Sequence, residues 1–373
     1  MPRERRDCRL GARVIDAGGP LAAFLAGEIR RGAMPGASWW VGSARSVAAS
    51  GAAGDAAVCP ERTPLEADTP FDLASLTKPL ATALLASILD RERRLHLDAP
   101  LGAVFPELRA SPFGDATLRD AAAHRAGFPA WTALYLAGTT RESYLDAIAS
   151  CARSSRPGET LYSDLGYILL GFAVEKAGGR RLDDLFADRV ARQLGLARCG
   201  FAGRTSSFSD AAATERGNAY ERSMAGPASH ADRFRAEIPR GQVHDGNAWG
   251  LGGIAGNAGL FGAAADVAAI ALAILDPRRL GLPEGALEPM LVPVAEGEGV
   301  RTVGFLRAKD AESVRGVLPD DAVGHAGFTG TSLWIDASRP RIYVLLTNRV
   351  HPAVPPEPFA ATRRGFHRVA ASL

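Results

Sequence analysis

Apolar residues at Leu21, Phe24, Leu25 and Ile29 share one face of residues 20–32, a spacing that predicts an amphipathic helix with a glycine near its stop. The stretch ASWWVGSARSVAAS then reads as two short strands about a Gly-Ser turn. From Leu76 to Leu89 the pattern changes. LTKPLATALLASIL is apolar nearly all round, which marks a buried helix, and Pro79 falls in its first turn, where a missing N–H costs least. Helical patterning dominates residues 90–280, in SYLDAIASCA, YILLGFAVEKAGG, LDDLFADRVARQL and AADVAAIALAIL. Residues 203–248 are polar, contain glycine and show no period, so a long irregular connection is expected there. Beyond Pro277, RTVGFLRA, TSLWIDA and RIYVLLTN are strand-like, and PFAATRRGFHRVAASL closes the chain as a helix. Strands at both ends with helices between them predict an α+β protein: one sheet built from both termini, with a helical insertion. In residue terms, an α/β domain takes 1–74 and 277–373, and a helical domain takes 75–276.

The 373 residues are 47% hydrophobic and 23% charged, enough for a large core in one domain or two. A net charge of +2, with no basic stripe interleaved with aromatics, argues against nucleic acid as a partner. Cysteines 8, 59, 151 and 199 form no C-x-x-C and no close pair, which suits reduced thiols in the cytoplasm better than disulfides or a zinc cluster. The longest strongly apolar run, VAAIALAIL at 267–275, is well short of the ~20 residues a membrane helix needs. The apolar runs of the basic N-terminus break too early for a signal peptide. A cytoplasmic protein with no membrane partner, no metal and no cofactor is expected. Seven histidines do not cluster at ligand spacing, and no P-loop, HEXXH or G-x-S-x-G occurs. GLGGIA at 250–255 fits a dinucleotide pattern in outline, but no apolar strand precedes it; it reads as a tight loop. The oligomeric state is left open.

Candidate chemistry begins with residue choice. Of 43 basic residues only Lys78, Lys176 and Lys309 are lysine, and Lys78 follows Ser75 by three positions at a helix start. The pair shares a face one turn apart. A serine hydroxyl needs a neighbour to take its proton, and arginine cannot serve as that acceptor. Lysine can, if burial and the positive helix end lower its pKa from ~10.4 by ~3 units, a shift of roughly 4 kcal/mol. The competing reading is a serine cap with a lysine reaching for water. In the second stretch, 157–175, Tyr162 precedes an apolar helix; it is either core or, beside a cation, a base. Asp164 fits a helix N-cap. In the third stretch, 323–336, His325-Ala326-Gly327 leads into an apolar strand. The glycine suggests close approach of another backbone or a ligand, and His325 alone reads as a satisfied, partly buried histidine. His244-Asp245, Trp131, Tyr135 and Trp249 are pocket-wall or core candidates.

Together FDLASLTKPLAT, YSDLGYILLG and GHAGFTGTSLWID match in order and spacing the serine β-lactamase-like superfamily, which includes class C β-lactamases, D-alanyl-D-alanine carboxypeptidases and β-lactamase-like carboxylesterases. AAAHRAGFPAW, GQVHDGNAWGLGGIAGNAGLFG and VLLTNRVHP resemble it too, over roughly residues 30 to 352. The resemblance implies an antiparallel sheet flanked by helices, with an inserted all-helical domain and the active site between them. It also implies Ser75 as acylated nucleophile, Lys78 and Tyr162 as shared base, and the N–H groups of Ser75 and Phe328 as oxyanion hole. Asp164, His325, Ala326 and Gly327 would contact substrate. The chain departs from the common Tyr-x-Asn at Asp164 and from Lys-Thr-Gly at His325-Ala326-Gly327. A mostly neutral histidine and an anionic aspartate weaken anion binding and tolerate a neutral ester. The expected activity is a serine carboxylesterase working on a small ester or amide. Arg349 keeps an anion site open, so β-lactamase, D-amino-acid peptidase or amidase remain alternatives, as does acyl transfer.

Overall fold

The computed structural model describes residues 14–15, 19–203, 208–225, 233–295, 297 and 299–373. Its main sheet is antiparallel and joins strands from both ends of the chain. In spatial order these are Val14–Ile15, Val47–Ala57, Gly36–Gly42, Arg341–Thr347, Ser332–Asp336, Val323–Ala326 and Leu306–Arg307, with Thr63–Pro64 pairing Val47–Ala57. The centre is the pairing of Gly36–Gly42 with Arg341–Thr347, in which Trp39 faces Leu345 and Trp40 faces Val344. RTVGFLRA, read as a strand, contributes only its two residues Leu306–Arg307 to the sheet edge.

These strands run apolar without alternation because both faces are covered. Trp39, Val41, Tyr343 and Leu345 pack with Leu21, Leu25, Ile29 and Phe366 of the helices Pro20–Arg30 and Ala360–Ala371. Trp40, Ile342, Val344 and Leu346 point the other way, into the core shared with the helix Ala264–Leu275 and the helical region. The central helical segment, 74–91, is not uniform. It opens as a 3-10 turn at Ala74–Leu76, passes through a π-type stretch at Lys78–Ala83 and settles into an α-helix at Leu84–Arg91. Single π turns within helices are frequently found at functional sites. Leu76, Leu80, Leu84, Leu85, Ile88 and Leu89 are all buried, each contributing on the order of 2 kcal/mol. A small three-stranded sheet, Phe71–Asp72, Leu260–Gly262 and Gly200–Phe201, anchors the start of this segment. The connection 203–248 is mostly irregular where described but includes the helix Ala219–Met224. No helix among the described residues is long and apolar enough to cross a membrane.

Candidate active site

Ser75 sits in the first turn of the central helical segment, and the residue before it is strained. Ala74 has φ 48°, left-handed backbone that costs a non-glycine residue roughly 1–2 kcal/mol. Asp72, buried, holds this turn: one carboxylate oxygen accepts the Ala74 N–H at 2.9 Å and the other the His244 N–H at 2.8 Å. Burial drives the Asp72 pKa up against these two bonds. On the far side, Thr329 Oγ1 donates to the Asp72 carbonyl and Thr331 Oγ1 to the Leu73 carbonyl. The turn after the strand Val323–Ala326 is thus pinned to the Ser75 turn. A Cβ on Gly327 would lie 2.1 Å from Thr331 Oγ1 and 2.7 Å from the Leu73 oxygen, so the close backbone approach read from the glycine is real and admits only glycine.

Lys78 has no exposed surface. Its amine donates to Ser75 Oγ at 2.9 Å and to the Asn257 carbonyl at 3.0 Å, and forms an ion pair with Asp164 Oδ1 at 2.6 Å. Two hydrogen bonds and an ion pair to a carboxylate suit the charged form. The lowered pKa expected for this amine is corrected here. Burial does push it down, but Asp164 and the Tyr162 phenol together outweigh burial and lift it above the ordinary lysine value. Asp164 is consequently the counter-ion of Lys78, and the N-cap is Ser163, whose Oγ accepts the Leu165 N–H at 3.1 Å. The glycine-rich loop meets Lys78 through the Asn257 carbonyl and its helical segment through Gly256. Thr82 Oγ1 donates to the Gly256 carbonyl, and a Cβ on Gly256 would meet the Tyr167 oxygen at 1.9 Å. Gly256 therefore serves tight packing against the helix Asp164–Gly178.

Tyr162 lies just before that helix, its hydroxyl 2.8 Å from Ser75 Oγ. Burial raises its pKa; the Lys78 ammonium opposes this, and Asp164 adds to it. His124, which the sequence reading did not single out, fixes the tyrosine. Its Nδ1 accepts the Ser163 N–H at 3.0 Å, its carbonyl accepts the Leu161 N–H at 2.9 Å, and its ring packs 4.6 Å from that of Tyr162. Burial holds His124 well below the usual histidine range, so Nδ1 is free to accept. The signal was present in AAAHRAGFPAW, where only spatial contact reveals the role.

Ser75, Tyr162, Asp164, Gly327 and Phe328 line one cavity of about 400 Å3, together with Asp72, Trp131, Glu221, His244 and Asp245. His325 and Ala326 stand behind it. His325 is buried, its Nδ1 bonds the Ala326 carbonyl at 2.9 Å, its ring faces that of Tyr162 at 5.8 Å, and burial with Arg301 keeps it neutral. Arg349 is turned toward the carbonyls of Pro355 and Glu357. His244 forms a cavity wall and pairs with Glu215 at 2.8 Å; Asp245 instead caps the helix Gly246–Gly250. Trp131 lines the cavity. Tyr135 backs it by donating to Glu221 at 2.9 Å, and Trp249 carries the Arg235 guanidinium over its ring. Glu221 also accepts the Gly246 N–H at 2.8 Å; burial and the nearby Asp245 raise its pKa to about 7.

A family model described as Beta-lactamase matches residues 21–364. A putative D-alanyl-D-alanine carboxypeptidase of Escherichia coli (strain K12) is 30% identical over 310 residues, covering 77% of this chain and 70% of that protein. Among solved structures, EstCE1, a hydrolase with promiscuous acyltransferase activity, superposes with a TM-score of 0.73 at 18% identity, over 93% of this chain and 97% of the other. A class C β-lactamase from Rhodobacter sphaeroides gives 0.70 at 20% identity, over 94% and 98%. The structural likenesses establish a β-lactamase/transpeptidase-like fold.

Proposed function

Because the chain belongs to the Beta-lactamase family and is a serine hydrolase of that family, we propose that it hydrolyses neutral carboxylic esters through an acyl-enzyme on Ser75. One observation carries this: Ser75 Oγ lies within hydrogen-bond reach of both the Lys78 amine and the Tyr162 phenol, and Ser75 and Tyr162 both line the cavity. Lys78 stays an ammonium. The Ser75 proton passes to Tyr162 in its phenolate form as Oγ attacks the ester carbonyl, while the N–H groups of Ser75 and Phe328 receive the oxyanion. Collapse breaks the ester bond, and Tyr162 returns the proton to the departing alkoxide. A water repeats the sequence and frees the acid. Since burial raises the Tyr162 pKa, kcat/KM is expected to climb with pH between about 7 and 10.

The preference for a neutral substrate rests on the wall. Asp72, Asp164, Glu221 and Asp245 face the cavity, Lys78 is saturated by its partners, His325 is neutral and Arg349 points elsewhere. Ala130, Trp131, Met224 and Phe328 offer apolar contact to a short acyl chain. A carboxylate, as on a penicillin or a D-alanine terminus, meets no unpaired cation among these lining residues, since His244 is held by Glu215. The test is a fluorophosphonate label located on Ser75, followed by rates on p-nitrophenyl butyrate, nitrocefin and a D-Ala-D-Ala peptide. The butyrate ester should turn over fastest, and Ser75→Ala should abolish turnover and labelling. Faster nitrocefin or peptide cleavage overturns the ester assignment. An alcohol acceptor added to the ester assay reads out acyl transfer, the activity named for EstCE1.

A further inference from the structure

Tyr162 is surrounded by groups that decide where its proton sits. Ser75 Oγ meets its hydroxyl. The Lys78 ammonium lies 5.2 Å from the ring centroid, with Asp164 acting through the same pair. The rings of His124 and His325 flank it at 4.6 and 5.8 Å, and Tyr167 packs against His124 at 5.1 Å. The remaining neighbour comes from outside all three sequence motifs: the Arg301 guanidinium carbon is 5.5 Å from the Tyr162 centroid.

Arg301 sits a few residues before the edge strand Leu306–Arg307. Its backbone carbonyl accepts the Val294 N–H, and its Nε is buried with no hydrogen-bond partner. Asp310, the acid that acts on it through space, is itself paired with Arg307 at 3.8 Å. The guanidinium of Arg301 is thus placed over the Tyr162 ring, with Tyr167 also within its electrostatic reach. A cation over the face of a phenol ring stabilises negative charge on that ring more than the neutral form. The two histidines cannot supply this charge. His124 must stay neutral to accept at Nδ1. His325 uses its Nδ1 proton on the Ala326 carbonyl, and its Nε2 is buried without a partner.

We propose that Arg301 is an electrostatic positioning residue for the base of the reaction: seated on the face of Tyr162, it favours the phenolate that takes the Ser75 proton. Arg301 keeps all its own protons throughout; the O–H bond that breaks is that of Ser75 and the one that forms is that of Tyr162. The inference rests on the hydrolase reading above.

The experiment compares wild type, Arg301→Met and Arg301→Lys. Tyrosine is labelled at the ring carbon bearing oxygen, and the Tyr162 signal is assigned by its loss in Tyr162→Phe. In Arg301→Met the Tyr162 titration midpoint should rise by about one pH unit, with kcat/KM for p-nitrophenyl butyrate at pH 7.5 falling about tenfold. Arg301→Lys should recover most of both. Arg301→Gln, which drops the charge but keeps a polar end, carries the same expectation if the methionine variant does not fold. An unmoved midpoint in a folded charge-deleted variant, or a lysine variant no better than methionine, overturns the proposal. A Ser75→Ala protein that keeps turnover overturns the hydrolase reading instead, so the two failures are told apart.

Discussion

Replacing Asp164 with asparagine tests the charge state of the nucleophile's partner directly. The amide preserves an oxygen acceptor for Lys78 at the present 2.6 Å but removes the counter-charge. A hydrogen bond between charged groups contributes about 1.5–3 kcal/mol, which corresponds to one to two pKa units on the amine. Without it, burial dominates and the Lys78 pKa falls below the ordinary lysine range. The sign of the pH dependence then reverses. In the wild type the folded pKa is raised, so the stabilisation is complete at neutral pH and is lost only as pH climbs past the ordinary lysine range. In the variant the folded pKa is depressed, so stability is lowest at neutral pH and recovers as pH rises from that depressed value toward ~10.4. A deficit of about 3 kcal/mol in a chain of this length moves Tm by roughly 4 °C. Melting curves at pH 7, 8.5 and 10 should show the gap between wild type and Asp164→Asn closing by at least half. A gap that stays constant across that range refutes the assignment of Lys78 as an ammonium held by Asp164.

Three further outcomes follow from the geometry. Gly327→Ala forces a Cβ into Thr331 Oγ1 and the Leu73 oxygen, which displaces the Phe328 N–H; kcat should fall on the order of 100-fold with a smaller change in KM, read by steady-state kinetics. Glu221, with a folded pKa of about 7, stabilises the fold fully below pH 4.5 and loses that contribution as pH rises through 7; Glu221→Gln should flatten this slope, worth up to about 3 kcal/mol, in urea unfolding between pH 5 and 8. His124→Phe keeps the ring but leaves the Ser163 N–H unpaired; kcat on butyrate esters should drop at least tenfold while the fluorophosphonate label still reaches Ser75, measured by labelling rate and mass.

The sheet, the buried helix behind Ser75 and the loop character of the glycine-rich stretch were legible because apolar patterning and glycine placement are local properties. Ser75, Lys78 and Tyr162 were legible as a set through spacing and resemblance. The charge on Lys78 was not, because it depends on Asp164 being folded back onto the amine, and a sequence reveals burial more readily than counter-ions. His124 and Arg301 escaped for the same reason. One acts through a backbone N–H it meets only in the fold, and the other reaches Tyr162 from a segment with no motif of its own. His325 and Ala326, implied as substrate contacts, are not among the residues that line the cavity, whereas Gly327 and Phe328 of the following turn are.

The threonine tethers from Thr329 and Thr331 to Asp72 and Leu73 bridge more than 250 positions of chain. During synthesis the serine therefore emerges long before the strand that completes its surroundings. A nascent polypeptide ending ahead of residue 323 holds the nucleophile but not the turn that orients its backbone. The Ser75 turn and the finished sheet should therefore take their final form together.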